Sequence, residues 1–90
     1  MLEGKVKIIN PLGLHARAAA QLVRLAGTFK SRIHLERREN NLIANAKSIL
    51  SVLTLAAAIG SELLLSVDGD DEAAAFEQIT DLFRRGFGEL

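Results

Sequence analysis

Four stretches of the chain are rich in apolar residues that tend to alternate with polar ones, and this period of two predicts β-strands. Turn-forming residues bound the predicted strands, which span residues 5–9, 32–36, 42–45 and 62–67. In the first two strands we expect four side chains to face the core: Val6, Ile8, Ile33 and Leu35. His34 then falls on the polar face of the second strand, where we expect an exposed residue without a catalytic role.

Three other stretches repeat apolar residues at helical spacing. The predicted helices span residues 16–26, 48–56 and a segment from about Asp71 to Gly86. The expected inward residues are Ala19, Leu22, Val23 and Ala26 in the first helix, and Phe76, Ile79, Leu82 and Phe83 in the third. The order β-α-β-β-α-β-α, with one polar sheet face, predicts an α+β open-faced sandwich. In this fold a four-stranded antiparallel sheet carries three helices on one face.

Composition narrows the class of protein. For 90 residues, 49% of them hydrophobic, we expect a single domain over residues 1–90. The absence of cysteine excludes disulfides and thiolate chemistry, and two separated histidines predict no metal site. No apolar run is long enough for a membrane span and no signal peptide is recognisable, so we expect a cytoplasmic location. The absence of Trp and Tyr argues against single-stranded nucleic-acid binding.

Charge is distributed unevenly along the chain. Residues 1–48 contain nine Lys or Arg against three Glu, whereas residues 49–90 contain two Arg against eight acidic residues. One interpretation is that these charges are the solvated surface of a balanced domain. The other is a positive field around His15 that attracts an anionic partner or a phosphate group.

The segment Asn10-Pro11-Leu12-Gly13-Leu14-His15-Ala16-Arg17 places a histidine between a turn and a helix start. Helix N-termini bind anions, imidazole is nucleophilic near neutral pH, and Arg17 offers a forked donor to phosphate oxygens. This set suits a phosphoryl acceptor, although a histidine at a helix start is also compatible with an ordinary surface residue. No acidic residue adjoins His15, so the sequence shows no orienting partner. No glycine-rich nucleotide loop is present, so the phosphate must come from another protein or a small donor.

The same segment resembles the active-site signature of HPr, the histidine-containing phosphocarrier family of the phosphoenolpyruvate-dependent phosphotransferase system. Ala46-Lys47-Ser48-Ile49-Leu50 resembles the second motif of that family, around its regulatory serine. The two motifs are about thirty residues apart, and the resemblance covers essentially the whole chain.

The resemblance implies that enzyme I phosphorylates His15, on Nδ1, with phosphate from phosphoenolpyruvate. His15 would then pass the group to an enzyme IIA protein, while Arg17 neutralises the phosphate charge. Ser48 would be modified by an HPr kinase/phosphorylase where that enzyme exists. The implied protein is a relay rather than a complete enzyme, and it needs no cofactor.

Two features depart from the pattern of the family. Ala18 stands where the family usually has proline, which predicts altered rigidity but a competent His15. The segment 82–87 and the loop 37–41 resemble the nitrogen-related branch, whereas residues 47–49 resemble serine-regulated members. The alternative function is therefore a regulatory interaction module of the nitrogen-related branch, whose phosphorylation state controls partner binding. A third hypothesis is a ligand-binding domain without phosphorylation.

The second predicted helix raises two questions of its own. Ser48 suits its N-cap, a role compatible with phosphorylation. The five apolar residues after Ser48 cannot all face inward, so the helix is either buried on several sides or exposes an apolar patch. The resemblance favours a patch of Ile49, Leu50 and Leu53 that faces partners, with Arg24 at its rim. A monomer is the simpler expectation for a carrier that must expose His15.

Overall fold

The computed structural model describes residues 1–90 and contains four strands and three α-helices. The strands are β1 (Leu2–Lys7), β2 (Arg32–Arg37), β3 (Leu42–Asn45) and β4 (Glu62–Asp68). The helices are α1 (Ala16–Ala26), α2 (Ile49–Thr54) and α3 (Glu72–Arg84), with short 3₁₀ turns at Arg38–Asn40 and Gly86–Gly88. The element order matches the predicted one.

All strand pairs are antiparallel, and the order across the sheet is β1-β4-β2-β3. Alternate residues of the central strands are buried, among them Ile33, Leu35, Leu63 and Leu65, because they face the helices. Twenty-two buried apolar residues form one continuous core between the sheet and the helices. The predicted open-faced sandwich is therefore confirmed.

The bounds of two predicted elements were wrong by two residues or more. The first strand was predicted over residues 5–9, but it spans Leu2–Lys7 because Leu2 to Lys7 pair with β4 residue by residue. The second helix was predicted over 48–56, but it ends at Thr54, and Ala56 adopts a left-handed conformation with φ +48°. A residue in the left-handed conformation ends a right-handed helix, and an alanine in the sequence does not indicate that conformation.

The predicted inward residues are mostly correct. Val6 and Ile8 are buried, as are Ala19, Leu22 and Ala26 of α1 and Ile79, Leu82 and Phe83 of α3. Val23 and Phe76 are only partly buried and pack at the edge of the core. The Phe76 ring lies over Gly4 of β1, where a Cβ atom would come within 2.7 Å of the ring.

Candidate functional site

The loop between β1 and α1 holds His15, and buried hydrogen bonds fix its conformation. The buried Asn10 side chain donates a hydrogen bond from Nδ2 to the carbonyl of Gly13, at 2.8 Å. Gly13 has φ +66°, and a Cβ atom there would lie 2.5 Å from the carbonyl oxygen of Ala57. The Leu14 amide donates to that same oxygen at 2.9 Å. The loop therefore requires glycine at position 13 and packs against the segment that follows α2.

His15 is the N-cap residue of α1. Its backbone is extended, with φ −75° and ψ 179°, and its carbonyl accepts the first helical hydrogen bond from Ala19. Its Nδ1 atom accepts a hydrogen bond from the Arg17 amide at 3.3 Å. The exposed Ala16 amide donates to no group of the chain. The first turn of α1 therefore presents Nδ1 beside a free backbone donor and the positive end of the helix dipole.

The other ring nitrogen of His15 contacts the carboxylate of Glu89 near the C-terminus. Nε2 lies in hydrogen-bonding contact with Glu89 Oε2, and Asn10 Nδ2 donates to Glu89 Oε1 at 3.2 Å. The hydrogen bond with His15, followed by the one from Asn10, lowers the pKa of the Glu89 carboxyl below its usual value. Glu89 is therefore ionised at neutral pH and acts as an acceptor.

These contacts fix the tautomer of neutral His15. A carboxylate only accepts hydrogen bonds, so the contact with Glu89 requires the proton to be on Nε2. A backbone amide only donates, so the contact with Arg17 requires a lone pair on Nδ1. The ring nitrogen that keeps a lone pair is consequently Nδ1, which lies at the N-terminus of α1.

The tail after α3 brings Glu89 to His15 through an unusual run of backbone conformations. Gly86, Phe87 and Gly88 all have positive φ, at 57°, 56° and 78°. Phe87 is buried and packs edge-to-face on Phe83, with ring centroids 5.0 Å apart. This buried ring anchors the turn, so that the chain reverses after α3 and the next acidic residue reaches the loop of His15.

The residues beside His15 along the chain give no indication of this orienting partner. Glu89 lies 74 residues away from His15. The available signal was Gly86-Phe87-Gly88, since two glycines around a large apolar residue indicate a tight turn with a buried anchor. The sequence predicts Asn10 only as part of the strand-breaking turn, whereas in the structure its buried amide group connects the loop to the tail.

Arg17 lies on the first turn of α1, two residues after His15, and its side chain is exposed without a hydrogen bond or ion pair. Its guanidinium is free to approach an anion at Nδ1. Arg24 is likewise exposed, two turns further along α1. His34 lies on the polar face of β2, as predicted, but it is half-buried rather than exposed, because β2 is flanked by β3 and β4.

Ser48 is the N-cap of α2, as predicted, because its Oγ atom accepts a hydrogen bond from the Ser51 amide at 3.3 Å. Val52 and Leu55 are buried, whereas Ile49 and Leu50 are 39% and 74% exposed. Leu53 is half-buried and packs against the core. The helix therefore has an outward apolar face, which we call the α2 face, formed by Ile49 and Leu50 with Leu53 at its base.

Two further classes of site are not found. No three His, Asp or Glu side chains lie close enough together to hold a metal ion. None of the helices combines the length and the apolar character that crossing a bilayer requires.

Comparison with known proteins gives a consistent result. A family model described as "PTS HPr component phosphorylation site" matches residues 2–85. The phosphocarrier protein HPr of Cupriavidus necator is 47% identical, over 99% of this chain and 98% of its own. The HPr of Treponema pallidum is 45% identical over 99% of both chains. A crystal structure of HPr-C-His from Thermoanaerobacter tengcongensis has a TM-score of 0.94 and 41% identity, and covers 100% of this chain and 99% of its own.

The open-faced sandwich of this chain is that of a solved HPr structure, and the relatives it matches are phosphocarrier proteins. The match over residues 2–85 and the full-length relatives make the assignment specific. The chain belongs to the HPr family of the phosphoenolpyruvate-dependent phosphotransferase system.

Proposed function

We propose that this protein carries a phosphoryl group on Nδ1 of His15, accepting it from enzyme I and delivering it to an enzyme IIA protein. The observation that carries the proposal is the pair of contacts on the imidazole ring. Glu89 holds the proton on Nε2, and the Arg17 amide faces the lone pair of Nδ1. The ring is thereby set, before any partner binds, with its nucleophilic nitrogen at a helix N-terminus.

In the transfer step the Nδ1 lone pair attacks phosphorus, a nitrogen–phosphorus bond forms, and the bond from phosphorus to the donor breaks. The electron pair of that broken bond leaves with the donor. Nε2 keeps its proton, so the imidazole ring becomes cationic, and the Glu89 carboxylate offsets this charge. The free Ala16 amide and the Arg17 guanidinium are suited to bind the phosphate oxygens. Delivery to enzyme IIA reverses these changes.

The α2 face and Arg24 are proposed to contact the partner proteins. Ile49 and Leu50 are exposed apolar side chains on a helix that packs beside α1, the helix of His15. An apolar centre with a cationic rim is typical of a docking surface for an acidic partner. Phosphorylation of Ser48 by an HPr kinase/phosphorylase is proposed to regulate this docking, and the carrier is proposed to act as a cytoplasmic monomer.

The experiment is incubation with phosphoenolpyruvate and enzyme I, followed by intact-mass measurement. We expect a gain of one phosphoryl group that is labile to acid and stable to base, and none in a His15→Ala control. Absence of the gain in the unmodified protein would refute the proposal. His34→Ala is the matched control, because that histidine lies on the sheet and should leave the gain unchanged.

The C-terminal segment 82–87 supports a second candidate, a regulatory module of the nitrogen-related branch. Both candidates use His15, and onward transfer separates them. In the carrier, addition of an enzyme IIA protein removes the phosphoryl group from His15 and places it on the acceptor. A module that acts only through its phosphorylation state would keep the group and bind a partner.

A further inference from the structure

Arg37, the last residue of β2, extends its side chain over the end of α2. Its Nη1 atom donates hydrogen bonds to the carbonyl oxygens of Leu55 and Ala56, at 2.8 and 3.1 Å. Its Nε atom donates to Glu39 Oε1 at 3.0 Å. The Arg37 side chain is only 20% exposed, whereas that of Glu39 is 65% exposed. A guanidinium is thus held by one carboxylate against two carbonyl groups at the end of α2.

The helix that Arg37 contacts has little support of its own. α2 has six residues, and a helix of this length is not stable in isolation. Within its bounds only Val52 is fully buried. Its first turn is capped by Ser48. Its last turn leads to Ala56, which adopts a left-handed backbone conformation that is unfavourable for alanine. The positive charge and the two hydrogen bonds of Arg37 therefore act where the helix is weakest.

We propose that Arg37 is a positioning residue: it fixes the C-terminal end of α2 and so sets the orientation of the α2 face toward partner proteins. The inference rests on the proposed function, because the α2 face matters only if partners dock there. Arg37 makes no hydrogen bond to His15 or to the loop that holds it, so we assign it no part in the chemistry at His15. Its removal should therefore weaken docking and leave the transfer step unchanged.

The test measures the kinetics of His15 phosphorylation by enzyme I with increasing concentrations of the carrier. For Arg37→Met, which removes every donor, we expect KM to rise about tenfold while kcat stays unchanged. Arg37→Lys keeps the charge near the two carbonyls but loses the bond to Glu39, so we expect an intermediate KM. Arg38→Met is the matched control, because Arg38 is exposed and its side chain makes no hydrogen bond or ion pair.

Hydrogen exchange supplies a readout that does not depend on any partner. In Arg37→Met the amides of α2 should exchange faster, whereas those of α1 should keep the rates of the unmodified protein. All variants are compared at a temperature where thermal unfolding shows each of them to be folded.

Equal α2 exchange, an unchanged KM, or a fall in kcat as large as the rise in KM would each overturn the proposal. If enzyme I phosphorylates no variant, including the unmodified protein, the proposed function and the docking role that rests on it both fail. If it phosphorylates the unmodified protein normally, an unchanged KM in Arg37→Met overturns the positioning role alone.

Discussion

Ser48 offers a way to separate the stability of α2 from its role in docking. The Ser48 hydroxyl caps the helix through one hydrogen bond of 3.3 Å to the Ser51 amide. Loss of an N-cap costs about 0.5–2 kcal/mol, and this long bond belongs in the lower part of that range. We therefore expect Ser48→Ala to lower the free energy of unfolding by about 0.5–1 kcal/mol. In a domain of this size that corresponds to a fall in Tm of about 2–8 °C.

Ser48→Asp should keep the stability of the helix and weaken docking. Aspartate is a good N-cap, and its charge is favourable at the start of a helix, so we expect stability within about 0.5 kcal/mol of the unmodified protein. The same charge lies beside Ile49 and Leu50 of the α2 face, on a helix that packs beside α1, which carries the exposed Arg17 and Arg24. Acidic groups of a partner would be repelled, and we expect phosphorylation by enzyme I to slow about tenfold or more.

The assays are urea unfolding and the initial rate of His15 phosphorylation, with Ser48→Asn as a neutral control that preserves the cap. We expect Ser48→Asn to match the unmodified protein in both. A Ser48→Asp variant that is phosphorylated as fast as the unmodified protein would refute the docking argument. A Ser48→Asp variant less stable than Ser48→Ala would refute the capping argument.

Three further results are expected. Glu89→Gln should slow His15 phosphorylation about tenfold, because the partner of Nε2 loses its charge; Glu77→Gln, on the exposed side of α3, should leave the rate unchanged. Asp71 accepts hydrogen bonds from Ser31 and then Lys30 that lower its pKa to about 2. The folded pKa of Asp71 lies below its unfolded value, so its contribution to the free energy of unfolding is complete above about pH 4 and is lost as the pH falls toward 2. Urea unfolding at a series of pH values should therefore show a weaker pH dependence in Asp71→Asn. Gly13→Ala should lower the free energy of unfolding by about 1–3 kcal/mol, since φ is +66° and the new Cβ atom would meet the Ala57 carbonyl. Thermal unfolding should show a smaller loss for Gly60→Ala, where the new Cβ atom would meet no other atom within 4 Å.

The sequence predicted the elements whose signals are local. The bounds of α1 and β3 were predicted to the residue, because the apolar stripe of α1 ends at Gly27 and the hairpin residues precede Leu42. The start of β1 was wrong because a strand at a sheet edge extends as far as its neighbour pairs with it. Leu2 is in the strand because Val67 faces it across the sheet.

The candidate site was predictable only in part, for a physical reason. His15 and Arg17 share one turn of helix, so their proximity follows from the sequence. Glu89 reaches His15 only after three left-handed residues reverse the chain, and Arg37 reaches α2 only through the packing of the sheet against the helices. Contacts of this kind depend on the tertiary fold and have no local pattern.

In the proposed mechanism the fold orients His15 so that Nδ1 is the nucleophile. The most direct test is nitrogen NMR of the protein labelled with ¹⁵N-histidine, before and after phosphorylation by enzyme I and phosphoenolpyruvate. We expect a proton on Nε2 of the neutral ring before phosphorylation, and afterwards a phosphorus coupling on Nδ1 of His15 alone. A phosphoryl group on Nε2, or on a residue other than His15, would contradict it.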